Sequence, residues 1–107
     1  MIEGLYKVQF QTPLGMGFGV INLENGKANG GDSAIAYTGS YTVDAGTFSS
    51  TIQVNRHSDG LPSVLGTDNA SLQIRGSVDG NIIIGEGTTP HAAGVKLSIQ
   101  LSLLKAA

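Results

Sequence analysis

The dipeptide Asn25-Gly26 constrains this chain more than any other feature. It stands between two strand-like runs. A type I′ turn, whose twist matches that of paired strands, needs positive φ at both central residues, and Asn and Gly adopt it most readily. The chain is therefore expected to double back there as a β-hairpin. Asp79-Gly80 repeats the signal, and Pro13-Leu14-Gly15 and Asp44-Ala45-Gly46 mark further turns. The 16 glycines, about twice the usual share, favour strands and turns over helices.

Between these turns the side chains alternate with the period of a strand. Leu5 to Thr12 sets Tyr6, Val8 and Phe10 against Lys7, Gln9 and Gln11, as in a half-buried strand. Met16 to Leu23 sets Met16, Phe18 and Val20 against Gly15, Gly17 and Gly19, a glycine face that lets a backbone or a bulky side chain come close. Lys27 to Gly30 is a short strand, and Gly30-Gly31-Asp32-Ser33 reads as a sharp corner in which Asp32 bonds nearby amides. From Ala34 to Val43, one face carries Ile35, Tyr37, Gly39, Tyr41 and Val43. Thr47 to His57 points Phe48, Ile52 and Val54 inward, and Ser71 to Val78 does so with Leu72, Ile74 and Val78. Ile82, Ile83 and Ile84 are apolar on both faces, which predicts cover from the C-terminal segment or from a partner chain. Thr88 to Gly94 is a loop holding Pro90 and His91, and Val95 to Leu104 is the last strand.

About eight strands joined mainly by hairpin turns predict one all-β domain over residues 1–107, an antiparallel up-and-down barrel or a sandwich. A barrel removes sheet edges, and eight strands enclose an interior that is filled or holds one small ligand. Gly39, Ser50 and Gly76 reduce the filling of otherwise apolar faces, which predicts a narrow apolar cavity. Its expected lining is Tyr6, Phe18, Tyr37, Gly39, Tyr41, Ile52 and Ile74. Leu61, Val64 and Leu65, apolar for a loop, are expected to fold over an open end of the core.

Composition narrows the chemistry. Charged residues make up 13%, the net charge is -2, and no basic field exists to attract phosphates, so direct nucleic-acid binding is disfavoured. Without cysteine there is no disulfide, thiol nucleophile or thiolate metal site. Met1-Ile2-Glu3-Gly4 lacks the basic and apolar segments of a signal peptide, and no apolar run approaches the roughly 18 residues of a membrane span. The expectation is a cytoplasmic protein without membrane contact or cofactor.

Gly15-Met16-Gly17-Phe18-Gly19 lacks the GxGxxG spacing and leads into a strand, so no helix N-terminus is offered to a phosphate. Asp32, Ser33 and His57 hold the side chains of a hydrolase triad, but no nucleophile elbow surrounds Ser33. His57 and His91 are too few and too far apart for a metal site. Arg56 lies in or just past the inward register of its strand and needs an acid, which Asp32 or Asp68 would supply. The tyrosines are expected in the core, their phenolic tips able to line a cavity.

Taken together, Gly4-Leu5-Tyr6, Gly17-Phe18-Gly19-Val20, Asn25-Gly26, Gly30-Gly31-Asp32-Ser33, Tyr37-Thr38-Gly39, Val54-Asn55-Arg56-His57 and Leu61-Pro62-Ser63-Val64-Leu65-Gly66 occur in an order that resembles the GrlR-type negative regulators of type III secretion gene expression. The resemblance implies a lipocalin-like eight-stranded barrel, a homodimer, and an apolar cavity for a lipid-like ligand. It also implies repression by contact with a transcriptional activator rather than with DNA. The family's acidic run after the tyrosine strand, implicated in contacting the activator, is reduced here to Asp44 within Val43-Asp44-Ala45-Gly46. Ile82, Ile83 and Ile84 are the expected dimer contact. The expected function is accordingly a non-enzymatic negative regulator. The alternatives are a ligand-binding barrel without regulatory role and a small enzyme, which convergence of Asp32, Arg56 and His57 on an open pocket would indicate.

Overall fold

A computed structural model describes residues 1–92 and 94–107; Ala93, within the loop expected over residues 88–94, lies outside the described residues. The strands are β1 (Gly4–Thr12), β2 (Gly15–Glu24), β3 (Lys27–Gly31), β4 (Ile35–Asp44), β5 (Thr47–Arg56), β6 (Asn69–Asp79), β7 (Ile82–Thr88) and β8 (Leu97–Ala106). Each pairs antiparallel with the next and β8 returns to β1, so the sheet is a closed up-and-down barrel rather than a sandwich. A short 3-10 turn, Pro90–Ala92, lies between β7 and β8. Among the described residues no helix is long and apolar enough to cross a membrane.

The tight turns set the strand order. Asn25 and Gly26 have φ of 54° and 76°, and Ala45 and Gly46 repeat this geometry at 51° and 79°. The β6–β7 turn is Gly80-Asn81, one residue later than expected, because Asp79 pairs directly with Ile82. These three hairpins and both chain termini occupy one end of the barrel, called here the lower end. The upper end carries Pro13-Leu14, the corner at Asp32–Ala34, the long connection over residues 57–68, and the β7–β8 connection.

The lower half is filled. Tyr6, Leu23, Phe48 and Ile83 are fully buried there, and Tyr41 stacks on Phe48 with ring centroids 5.7 Å apart. Residues before β1 close this end. The Tyr6 hydroxyl donates to the Ile2 carbonyl, the Tyr41 hydroxyl donates to the Glu3 carboxylate at 3.3 Å, and the Ala107 amide donates to the Glu3 carbonyl at 2.9 Å.

Strand β2 turns the opposite way from the reading that placed Phe18 inside. Gly17 pairs with Phe10, Gly19 with Val8 and Ile21 with Tyr6, and directly paired residues project to the same face. The glycines therefore face inward, and Met16, Phe18 and Val20 stand outward, 51%, 56% and 42% exposed. The reason is volume. A β-carbon at Gly17 would lie 2.5 Å from the Phe10 ring, and one at Gly19 would lie 2.7 Å from the Tyr37 hydroxyl. Two inward aromatics, packed edge to face with centroids 6.3 Å apart, occupy the space that side chains on β2 would need.

The isoleucine run divides between the faces. Ile83 is 1% exposed and belongs to the core, so it is not part of a surface open to a partner, whereas Ile82 and Ile84 stand outward. β8 does not cover them, because it pairs edge to edge with β7, Ile83 opposite Leu101.

Candidate ligand cavity

The upper half of the barrel encloses a cavity of about 330 Å³ walled by Val8, Ile21, Ile52, Leu72, Ile74 and Ile99 among others, and reaching down to Leu23 and Phe48 of the lower half. Its mouth follows from strand lengths. β3 ends at Gly31, opposite Val20, while β2 continues upward to Gly15, so the stretch 15–19 is paired with β1 alone. The opening lies between this stretch and the corner Asp32-Ser33-Ala34, with Leu61 to Leu65 beside it. Leu65 is buried, and Val64 is held down because the Thr12 hydroxyl donates to its carbonyl, so these two cover the upper end as expected; Leu61 stays outside, 86% exposed.

The predicted lining is partly displaced. Tyr37, Ile52 and Ile74 line the cavity, and Phe18 reaches only its rim, from the outer side of β2. Tyr6 and Tyr41 lie below it as part of the lower plug. Gly39 is exposed and lies outside the lining; a β-carbon there would sit 1.9 Å from the Thr51 carbonyl oxygen, so its role is the close approach of β4 and β5. Phe10, Val54, Leu97 and Ile99 line the wall although the sequence reading did not assign them to it. Their inward parity was legible, and their height would have followed from counting back from the turns at each end.

Asp32 is the charged side chain of the lining. Its Oδ1 accepts from the Ala34 amide at 2.9 Å and the Ile35 amide at 2.8 Å, and its Oδ2 accepts from the Tyr37 hydroxyl. Burial by itself would raise this carboxyl. The Tyr37 hydrogen bond, the two amides and the charge of His57 outweigh burial and hold it below the usual carboxylate range. The same contact, after burial, pushes the Tyr37 hydroxyl well above its ordinary value. Deeper in the cavity the Ser50 hydroxyl is already committed, donating to the Ser40 carbonyl at 2.7 Å.

The corner residues Gly30 and Gly31 end β3 as its close approach to β2 and β4 requires, with a β-carbon at Gly30 falling 2.0 Å from the Val20 carbonyl oxygen. Of the two acids considered for Arg56, Asp68 is the partner, with Nε to Oδ1 at 2.8 Å. Arg56 also donates to the carbonyls of Ser58 at 3.1 Å and Leu61 at 3.0 Å, tying down the base of the connection that covers the cavity.

Asp32, Ser33 and His57 do not assemble a relay. His57 Nε2 lies 3.1 Å from the Asp32 carbonyl oxygen, which can only accept, so Nε2 carries a proton there. Nδ1 lies 2.8 Å from the Ser58 hydroxyl, and the Asp32 carboxylate is turned to Tyr37. Of Asp32, Arg56 and His57, Asp32 lines the cavity and the other two stand outside its wall. His91 sits on the separate 3-10 turn. Asp44 is exposed beside the Ala45-Gly46 turn, at the end opposite the mouth. Compared with known protein families and with curated proteins, the chain matches none.

Proposed function

We propose that this chain is a small non-enzymatic barrel that holds an apolar ligand in its upper half. The observation that carries this is the cavity itself. Protein interiors are close-packed, and voids larger than a water molecule are few. An apolar space of about 330 Å³ with an open mouth falls at the small end of the roughly 300–1,000 Å³ range of ligand sites. A single carboxylate at the rim supplies the sparse polar marking such sites carry.

The test is saturable binding of Nile red, a neutral apolar dye, by the wild-type chain and by Ile52→Trp, which fills the cavity from one wall. We expect 1:1 binding that weakens at least about tenfold in a folded variant, as a difference of about 1.4 kcal/mol would produce. Undiminished binding to the filled variant would overturn the reading.

A second reading, regulation by protein contact in the manner of the GrlR-type family, is favoured by the outer face of the barrel. Met16, Phe18 and Val20 present three consecutive outward apolar side chains next to the mouth. Contiguous apolar surface of this kind marks sites of protein contact. In this reading the partner is a transcriptional activator, Asp44 is the acid the resemblance assigns to it, Ile82 and Ile84 join two copies, and the absence of cysteine suits the reducing cytoplasm. Co-purification of a transcription factor that is lost on Phe18→Ser or Asp44→Ala supports this; retention in both variants removes it. Sedimentation tests the pairing of copies: Ile84→Lys should shift a dimer to a monomer, and a wild-type monomer at micromolar concentration would sink the dimer.

A further inference from the structure

We propose that the cavity selects its ligand by charge. It takes neutral or cationic amphiphiles whose polar end donates a hydrogen bond to Asp32 at the mouth, and it rejects anionic ones such as fatty acids. This rests on the ligand-binding reading above and narrows it.

The polar end belongs at the mouth because the depth of the barrel has little to offer it. The wall there is apolar, and Ser50 already donates its proton to the Ser40 carbonyl. A polar group placed beside it would exchange water for an almost unpartnered site. At the mouth stand Asp32, Ser33 and Ser63. An ionised carboxylate offers about four acceptor positions. Two amides occupy Oδ1 of Asp32, and the Tyr37 hydroxyl occupies one position on Oδ2, which leaves Oδ2 able to accept one further donor.

Among the described residues no lysine, arginine or histidine lines the cavity. The nearby basic side chains are committed elsewhere. Arg56 is held by Asp68 and by two loop carbonyls, and both ring nitrogens of His57 are engaged by Ser58 and the Asp32 carbonyl. An ammonium or hydroxyl head would therefore meet an acceptor of opposite or compatible character. A carboxylate or phosphate head would meet a like charge in a partly desolvated setting, with no counter-ion. The hydrogen bonds that hold Asp32 below the usual carboxylate range keep it charged throughout the neutral region.

The experiment is displacement of Nile red at neutral pH by three ligands with the same tail, dodecylamine, dodecanol and dodecanoate. On the wild-type chain, dodecylamine should compete at least about tenfold more tightly than dodecanoate, with dodecanol between them. In Asp32→Asn the preference should collapse. Asp32 also organises its own turn, so the second variant is Ser33→Lys, at an exposed position, which should reverse the preference toward dodecanoate. Equal affinity of the wild type for dodecylamine and dodecanoate would overturn charge selection, and so would an unchanged preference in folded Asp32→Asn or Ser33→Lys. If dodecanol binds while the charged pair do not differ, only the selectivity falls. If neither Nile red nor dodecanol binds, the ligand-binding reading falls with it.

Discussion

Gly17 faces Phe10 across the β1–β2 ladder, and a β-carbon at Gly17 would lie 2.5 Å from Cε2 of the ring. The aromatic side chain of one strand occupies the volume that the neighbouring strand leaves empty, so the packing of the upper barrel depends on this pair. Gly17→Ala should push the half-buried Phe10 ring toward the cavity. The expected effects are about 1–3 kcal/mol of lost stability and weaker binding of an apolar probe. Urea unfolding and Nile red titration check both; a neutral Gly17→Ala would show that the ring does not depend on the vacancy.

Ala45 adopts φ of 51° at the first position of a hairpin turn, where a Cβ is disfavoured by about 1–2 kcal/mol. Asn25 fills the equivalent position of the β2–β3 turn without that penalty. Ala45→Asn should therefore stabilise the chain by about 0.5–1 kcal/mol. Because the turn lies at the closed end, ligand binding should be unchanged. A lower thermal midpoint for this variant would contradict the turn assignment.

Arg56 joins the end of β5 to Asp68 and to the carbonyls of Ser58 and Leu61. Its ion pair is partly exposed on the Asp68 side and is worth no more than about 1 kcal/mol, whereas the carbonyl contacts anchor the covering connection. Arg56→Ala should cost about 1–2 kcal/mol and speed ligand release, and Asp68→Asn should cost less than about 1 kcal/mol. Lysine should not rescue, since one ammonium cannot reproduce the guanidinium fork. Unchanged release kinetics in Arg56→Ala would mean that the connection does not gate the cavity.

The titrating groups predict opposite behaviour at the two ends of the pH scale. The Asp32 carboxyl is lowered in the folded chain, so its stabilisation is complete above the unfolded value of about 3.9 and is lost as pH falls through the folded value. The stability difference between wild type and Asp32→Asn should hold at neutral pH and shrink under acid. Burial raises Tyr6, Tyr37 and Tyr41, the latter two also facing the carboxylates of Asp32 and Glu3. Their contribution is complete below the unfolded value of about 10 and is lost as pH rises above it. Each tyrosine protonated only in the folded state steepens the alkaline loss by roughly 1.4 kcal/mol per pH unit. Tyr37→Phe should flatten that slope, which denaturant unfolding across alkaline pH measures; an unaltered slope would contradict the burial of the Tyr37 hydroxyl.

Most of the architecture was legible because strands and tight turns are local. Asn25-Gly26 specifies a hairpin whatever the rest of the chain does, and the inward sets of β5 and β6, Phe48, Ile52, Val54, Leu72 and Ile74, follow from alternation because their outward neighbours are polar. β2 offered no such contrast. Its apolar residues occur in both parities, with Met16, Phe18 and Val20 in one and Ile21 and Leu23 in the other, so hydrophobicity favoured the wrong face at Phe18. The parity of Ile21 and Leu23, carried upward through the strand, points to the face that is buried.

By itself, then, the amino-acid sequence determined how many strands form, where the chain reverses and that a barrel can close, since each of these is set by backbone angles and a two-residue period. Closure of the sheet decided the rest. Once β8 pairs with β1, every strand's pleat must agree with the strands it pairs with, and this turns Gly17 and Gly19, paired with β1 alone, inward beside Phe10 and Tyr37 and separates Ile83 from Ile82 and Ile84. The distance of each residue from the turns then separates the lower plug of Tyr6 and Tyr41 from the open space above it, which Phe48 borders. Whether an inward side chain fills that plug or lines a cavity depends on its height in the ring and on what stands opposite, and both are fixed only when all the strands are in place.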